Sequence, residues 1–145
     1  MTGSKQVAKT FSCSIVTPQE ALFDGEVSYV TFPSWDGQYG MLPGMAPLLS
    51  KLAIGMMRVD LTDGATRYFV IEGGFAHVHD NTLTLLTEGA QDGAEIDIEL
   101  ARAAVAEAEA RVVSETDNHD RIRRQNQIAS TRLETAKHAI GRGAA

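Results

Sequence analysis

Asp36-Gly37-Gln38-Tyr39-Gly40-Met41-Leu42-Pro43-Gly44-Met45-Ala46-Pro47-Leu48-Leu49 is the stretch whose reading decides the fold. Three glycines and two prolines in fourteen residues fix several backbone turns at once and leave few alternative paths. Between them stand Tyr39, Met41, Leu42, Leu48 and Leu49, so the stretch is expected to be a rigid corner that tucks apolar side chains into a core. Its leading edge, Ser34-Trp35-Asp36-Gly37, is expected to be an exposed lip.

Upstream of the corner, Phe11, Cys13 and Ile15 alternate with period two and Pro18 ends the run, which predicts a strand and a turn. Leu22 and Phe23 lead into Asp24-Gly25, a tight hairpin signal, and Val27 to Phe32 returns as a β-branched and aromatic run. Downstream, Met57, Val59 and Leu61 share a face and Asp63-Gly64 turns the chain into Thr66 to Ile71. Gly73-Gly74 is expected to break that strand, Phe75 to His79 to make another, and Asp80-Asn81 to turn into Thr82 to Thr87. Turn signals about every ten residues, with hardly a helical period between them, predict an all-β sandwich or flattened barrel of about eight to ten short strands.

All nine aromatic residues and all four prolines occur by Phe75, and beyond it the chemistry of the chain changes. Residues 1–88 are expected to form the β-sandwich domain, 89–96 a small polar linker, and 97–145 an antiparallel α-helical hairpin. Asp97 can cap a first helix with Ala101, Ala104, Val105, Ala108 and Val112 at helical spacing. Ser114 to Asp120 reads as the turn. A second helix carries Ile122, Ala129, Leu133, Ala136 and Ile140 in a heptad-type seam and is expected to end near Gly141. Alanine seams bury little area per residue, so this hairpin is expected to be weakly held.

The chain has 145 residues, 43% of them hydrophobic and 22% charged, with a net charge of −6. That balance argues against a general nucleic-acid binder, which needs a basic face for phosphates. The charge is unevenly spread: residues 1–92 sum to −5, residues 93–120 to −6 and residues 121–145 to +5. An acidic block followed by a basic one is expected of two helices that fold back on each other, or that exchange this contact for another acidic partner. No segment approaches about eighteen uninterrupted apolar residues, and the first dozen residues lack the apolar run of a signal peptide, so neither a span nor a leader is expected. Met1-Thr2-Gly3-Ser4 suits a frayed end. The single cysteine, Cys13, excludes an internal disulfide, fits a reducing compartment and is expected to be a small buried hydrophobe.

Few residues invite chemistry. His77 and His79 lie on one face of a strand, as in some metal sites, but a catalytic metal needs a third ligand and His119 and His138 fall in the helical tail. The glycine clusters lack the lysine and strand-to-helix setting of a phosphate loop, and there is no nucleophile elbow or Cys/His signature. Two alternatives nonetheless stand beside a structural subunit: a small cupin-like metalloenzyme using His77 and His79, or a generic β-sandwich interaction module with a helical arm.

The run Gly40 to Leu49 resembles the G-x-x-P-G-H-A-P-L-L stretch of the epsilon-subunit family of rotary F-type ATP synthases, with Met45 where the family most often has histidine. The resemblance extends to Val16-Thr17-Pro18, Leu22-Phe23-Asp24-Gly25, Glu72-Gly73-Gly74-Phe75 and Ile98 to Ala103. It implies a non-catalytic central-stalk subunit that binds the gamma subunit and the c-ring, is held indirectly at the cytoplasmic face of the bacterial inner membrane, and regulates ATP hydrolysis with its hairpin. By position, Ser34, Trp35, Asp36, Gly37 and Gln38 would be the ring-contacting loop. Ile98 to Ala103 resembles a motif linked in some members with ATP, which would bring Glu99, Arg102 and Arg132 to a nucleotide. Glu99 in place of the usual aspartate, and Glu109 further along, lead to an expectation of weak ATP binding or none. Arg121, Arg123, Arg124 and Arg132 would form a regulatory basic face able to meet an acidic segment of the catalytic subunits.

Overall fold

The structure, a computed structural model, describes residues 9–110 and 119–143. Its strands are β1 (Phe11–Val16), β2 (Ala21–Ser34), β3 (Gly37–Met41), β4 (Leu48–Leu61), β5 (Thr66–His79), β6 (Thr82–Leu86) and β7 (Ala90–Asp92). A 3-10 turn (Gly93–Glu95) leads to α1 (Ile98–Ala110) and α2 (His119–Gly143). The strands lie in the order β1-β6-β5-β4-β2-β3, and β1 also pairs with β2, so the sheet closes on itself. The closing pair β1–β6 is parallel, while β1–β2 and the remaining ladders are antiparallel.

Alternation decides which side chains fill the interior. In β1 it sends Phe11, Cys13 and Ile15 inward, and from the other strands Val27, Val30, Phe32, Met57, Val59, Phe69, Ile71, Leu83 and Leu85 join them. Burial raises the Cys13 thiol from its ordinary 9.0 to about 12, with the Asp24 carboxylate acting in the same direction, so this cysteine is an inert core residue.

Among the described residues seven strands replace the eight to ten short ones expected, and three of them are 14 residues long. The difference lies in glycines read as turns. Asp24-Gly25 is extended and pairs with Ser14 and Cys13, and Gly25 has none of the positive φ that a two-residue hairpin would require. Gly73 and Gly74, at φ 86° and 110°, bend β5 without ending it: the ladder passes from Leu52 opposite Gly74 to Ile54 opposite Glu72. Asp63-Gly64 and Asp80-Asn81 are turns as read, with Asp80 and Asn81 at φ 49° and 58°.

The corner divides its apolar residues. Met41 is buried and Tyr39 stacks on Phe32 with ring centroids 5.3 Å apart, but Leu42 and Leu49 are turned outward, contrary to the expectation of a wholly buried corner. Strand alternation accounts for Leu49, because its neighbour Leu48 takes the inward position. Asn81 ties the corner down: its Oδ1 accepts from the Gly44 N–H at 2.8 Å while its Nδ2 donates to the Thr10 carbonyl at 2.8 Å.

The stretch expected as a linker is packed. Ala90–Asp92 pairs with Phe69 to Ile71, and Asp92 is held by Arg67, whose guanidinium lies over the neighbouring Phe23 and Phe69 rings at 5.2 and 5.0 Å. Asp97 Oδ1 accepts from the N–H groups of Glu99 and Leu100, capping α1 as expected. The hairpin sits on the β domain over a small second core of Val70, Ile96, Ala101 and Ala136, flanked by Ile98 and Leu133. Of the expected α2 seam, Ile140 is half exposed; Val112 of the expected α1 seam and Ser114 to Asn118 of the expected turn lie outside the described residues, and His119 and Asp120, also expected in the turn, begin α2.

Candidate partner-binding faces

The outer face of β4, β5 and β6 brings three exposed large apolar side chains together, Leu49, Phe75 and Leu86. The pairing places Lys51, Phe75 and Leu86 in one row across the three strands, and Leu49, His77 and Thr84 in the next. Phe75 is 51% exposed, Leu86 54% and Leu49 70%. Beside them runs an open groove of about 390 Å³ lined by Val16, Pro18, Gly74, Phe75, Leu86 and Glu88. Gly74 makes this geometry possible, since a Cβ there would fall 2.1 Å from the Leu86 carbonyl oxygen. An apolar surface of this kind has no chemistry of its own and is suited to covering by another protein.

The β2–β3 turn projects from the corner. Ser34 is buried, sharing a 2.9 Å hydrogen bond with the Ser50 hydroxyl and donating to Asp36 at 3.1 Å, and the Trp35 N–H donates to the Lys51 carbonyl. Those bonds, with Gly37 at φ 129°, fix the turn and leave the Trp35 ring 69% exposed. Gln38 folds back, its Nε2 donating to the Met56 carbonyl at 3.3 Å.

The arginines go to several partners. Arg102 pairs with Glu99 on its own helix at 3.8 Å, whereas Arg132 donates to Gln91 of β7 at 3.0 Å, so the two proposed nucleotide contacts are engaged separately. Arg124 reaches the Glu72 carbonyl and the Glu88 carboxylate at 3.3 and 3.4 Å, and Arg123 pairs with Asp120 at 3.5 Å. Arg121 is exposed and shares its side of α2 with Arg124; Arg123 does not, because residues two apart on a helix do not face alike. Arg132, about three turns beyond Arg121, lies on that same side, so Arg123 alone of the four points elsewhere, and Arg124 and Arg132 hold the helix to the β domain.

His77 and His79 are stacked at 6.0 Å, and His79 Nε2 lies 3.2 Å from Asp80. Among the described residues no group of three His, Cys, Asp or Glu side chains is placed to hold a metal ion, which disfavours the cupin-like alternative. Sequence reasoning missed Leu49, Phe75 and Leu86 as a surface. A signal was present, since each is a large apolar residue in the outward phase of an alternating strand, but only the register joins them.

The architecture is a closed β-sandwich with exposed apolar side chains on one outer face and a helical hairpin. Residues 10–93 match the family described as ATP synthase, Delta/Epsilon chain, beta-sandwich domain. The ATP synthase epsilon chain of Pelotomaculum thermopropionicum is 42% identical over 108 residues, covering 74% of this chain and 80% of that one. The epsilon chain of Syntrophomonas wolfei is 36% identical over 133 residues, covering 90% and 97%. Among solved structures, a chain of the Euglena gracilis mitochondrial ATP synthase superposes with a TM-score of 0.72 at 27% identity, covering 97% of this chain and 87% of its own. The chain belongs to the epsilon chains of ATP synthase, non-catalytic subunits of the central stalk of that rotary machine. Among the described residues no helix is long and apolar enough to cross a membrane.

Proposed function

We propose that this chain couples rotation to ATP synthesis by docking the gamma subunit on the outer face of β4, β5 and β6 and the c-ring on the β2–β3 turn. The observation that carries this reading is the row of exposed Phe75 and Leu86 beside Leu49, an apolar surface that water alone covers poorly. Trp35 supports the second contact, being the type of exposed, rigid side chain that anchors interfaces. The subunit would then be peripheral, at the cytoplasmic face of the bacterial inner membrane, through its partners alone. The hairpin would regulate ATP hydrolysis by leaving the β domain for the catalytic alpha and beta subunits. It would bind ATP weakly or not at all, because Arg102 and Arg132 are engaged apart.

Co-purification tests the main claim. The double variant Phe75→Asp/Leu86→Asp is expected to keep its fold by circular dichroism and to lose gamma. Retention of gamma at the wild-type level would refute the docking assignment. Trp35→Ala is expected to keep gamma and weaken attachment to the membrane sector. Removing residues after Gly93 should leave assembly intact and raise ATP hydrolysis by the detached complex; an unchanged rate would deny the hairpin an inhibitory role.

A further inference from the structure

The seam of α2 is more regular than its apolar residues suggest. Ile122, Asn126, Ala129, Leu133, Ala136 and Ile140 are spaced alternately four and three apart, so Asn126 occupies a seam position. Leu133 and Ala136 of this seam pack with Ile98 and Ala101 of α1. The Asn126 Oδ1 is buried and accepts no hydrogen bond.

Contacts of α2 with the β domain oppose a roll of the helix that would carry Asn126 outward. Arg124 bonds the Glu72 carbonyl and Glu88, and Gln127 donates to the Ile54 carbonyl at 3.4 Å, which fixes the rotation of α2 about its axis. Further along, Arg132 holds Gln91, and Thr135 lies so close to Gly93 that a Cβ there would meet its Cγ2 at 2.8 Å. Turning Asn126 toward water would break these contacts together. Moving α1 away would break none of them and would uncover only the small apolar contact of Ile98 and Ala101 with the second core.

We propose that Asn126 makes the α1–α2 seam the first surface to open, with α1 swinging from α2 while α2 stays on the β domain. Opening returns the orphaned amide oxygen to water, so the asparagine favours the open state over what an apolar residue at this position would allow. The hinge is Asp97, exposed between the buried Ile96 and the start of α1, because Asp92 is anchored by Arg67 and the 3-10 turn is packed against α2. This inference goes beyond the reading above: it concerns the order in which the hairpin comes apart and holds or fails whether or not the tail controls hydrolysis.

Hydrogen exchange on the isolated full-length chain tests it. In Asn126→Leu, and in Asn126→Met should the first variant fold poorly, the α1 amides should exchange about tenfold or more slowly, while β4 and β5 amides keep their wild-type rates. In Asn126→Asp, above neutral pH, α1 should exchange faster than in wild type. Wild-type or faster α1 exchange in folded Asn126→Leu would overturn the proposal. So would protection that grows with protein concentration, since it would come from association of copies, and so would parallel slowing of α1 and the β strands.

Discussion

Inside the β domain Phe11, Phe32, Phe69, Met41, Met57 and Leu83 are almost wholly removed from solvent, whereas beneath the hairpin the buried apolar side chains are Val70, Ile96, Ala101 and Ala136. Each large residue of the first set contributes about 1.5–3 kcal/mol through burial, and an alanine contributes a fraction of that. Polar contacts fill the gap under the hairpin: Arg124 on Glu72 and Glu88, Arg132 on Gln91, Gln127 on Ile54. Of these only Arg124–Glu88 is an ion pair, worth about 0–1 kcal/mol and weakened by salt, and the rest are single hydrogen bonds of about 0.5–1.5 kcal/mol each. The two halves therefore differ in what can disturb them. Solvent conditions should loosen the seat of the hairpin long before they affect the β core.

The largest effect should come from Phe32→Ala, which empties a fully buried site and should cost about 3–5 kcal/mol in urea unfolding of the whole chain. A loss confined to the helices would break the comparison. Gly74→Ala should cost on the order of 2 kcal/mol, since φ is 110° and the new Cβ would meet the Leu86 carbonyl. It should also lift β6 away from β5 and impair gamma binding. Asp97→Ala removes the α1 cap and should cost about 1 kcal/mol, read as lost helicity with the near-ultraviolet signal of the β domain unchanged.

The smallest effect at neutral pH belongs to Cys13. Below pH 9.0 its thiol is protonated in folded and unfolded chains alike; between 9.0 and about 12 only the unfolded thiol ionises, so stability falls as pH rises through that window. Cys13→Ala should flatten that slope. At pH 7 thiol labelling of Cys13 should follow opening of the β core and be indifferent to Asp97→Ala.

Local signals carried much of the fold. Period-two runs located the strands, Asp63-Gly64 and Asp80-Asn81 located true turns, and Asp97 marked the start of α1. Asp24-Gly25 misled because the dipeptide is compatible with an extended backbone once β1 and β4 are available to pair with β2 along its length. Gly73-Gly74 misled because a bend and a chain reversal use the same residue. The partner face was the least legible part. Leu49, Phe75 and Leu86 are far apart in sequence, and only cross-strand register, a non-local property, brings them together. The same applies to Arg124 and Arg132, whose charge pattern suggested helix-to-helix pairing and whose resolved contacts run to β-domain residues.

The pairing of β1 bears on how the chain is made as well as on how it stands. β1 comes from residues 11–16, yet its parallel partner β6 comes from residues 82–86, so the barrel cannot shut until nearly the whole β domain has been synthesised. Until then the outer edge of β5 is bare along its β6 pairing and β1 has only β2 beside it, and unpaired edges recruit strands from neighbouring nascent chains. Bringing the two ends together also makes closure a long-range and comparatively slow event in folding. The N-terminal strand is thus drawn in early by β2 and sealed late by β6, and polysome crowding is the circumstance in which this subunit is most exposed to misassembly.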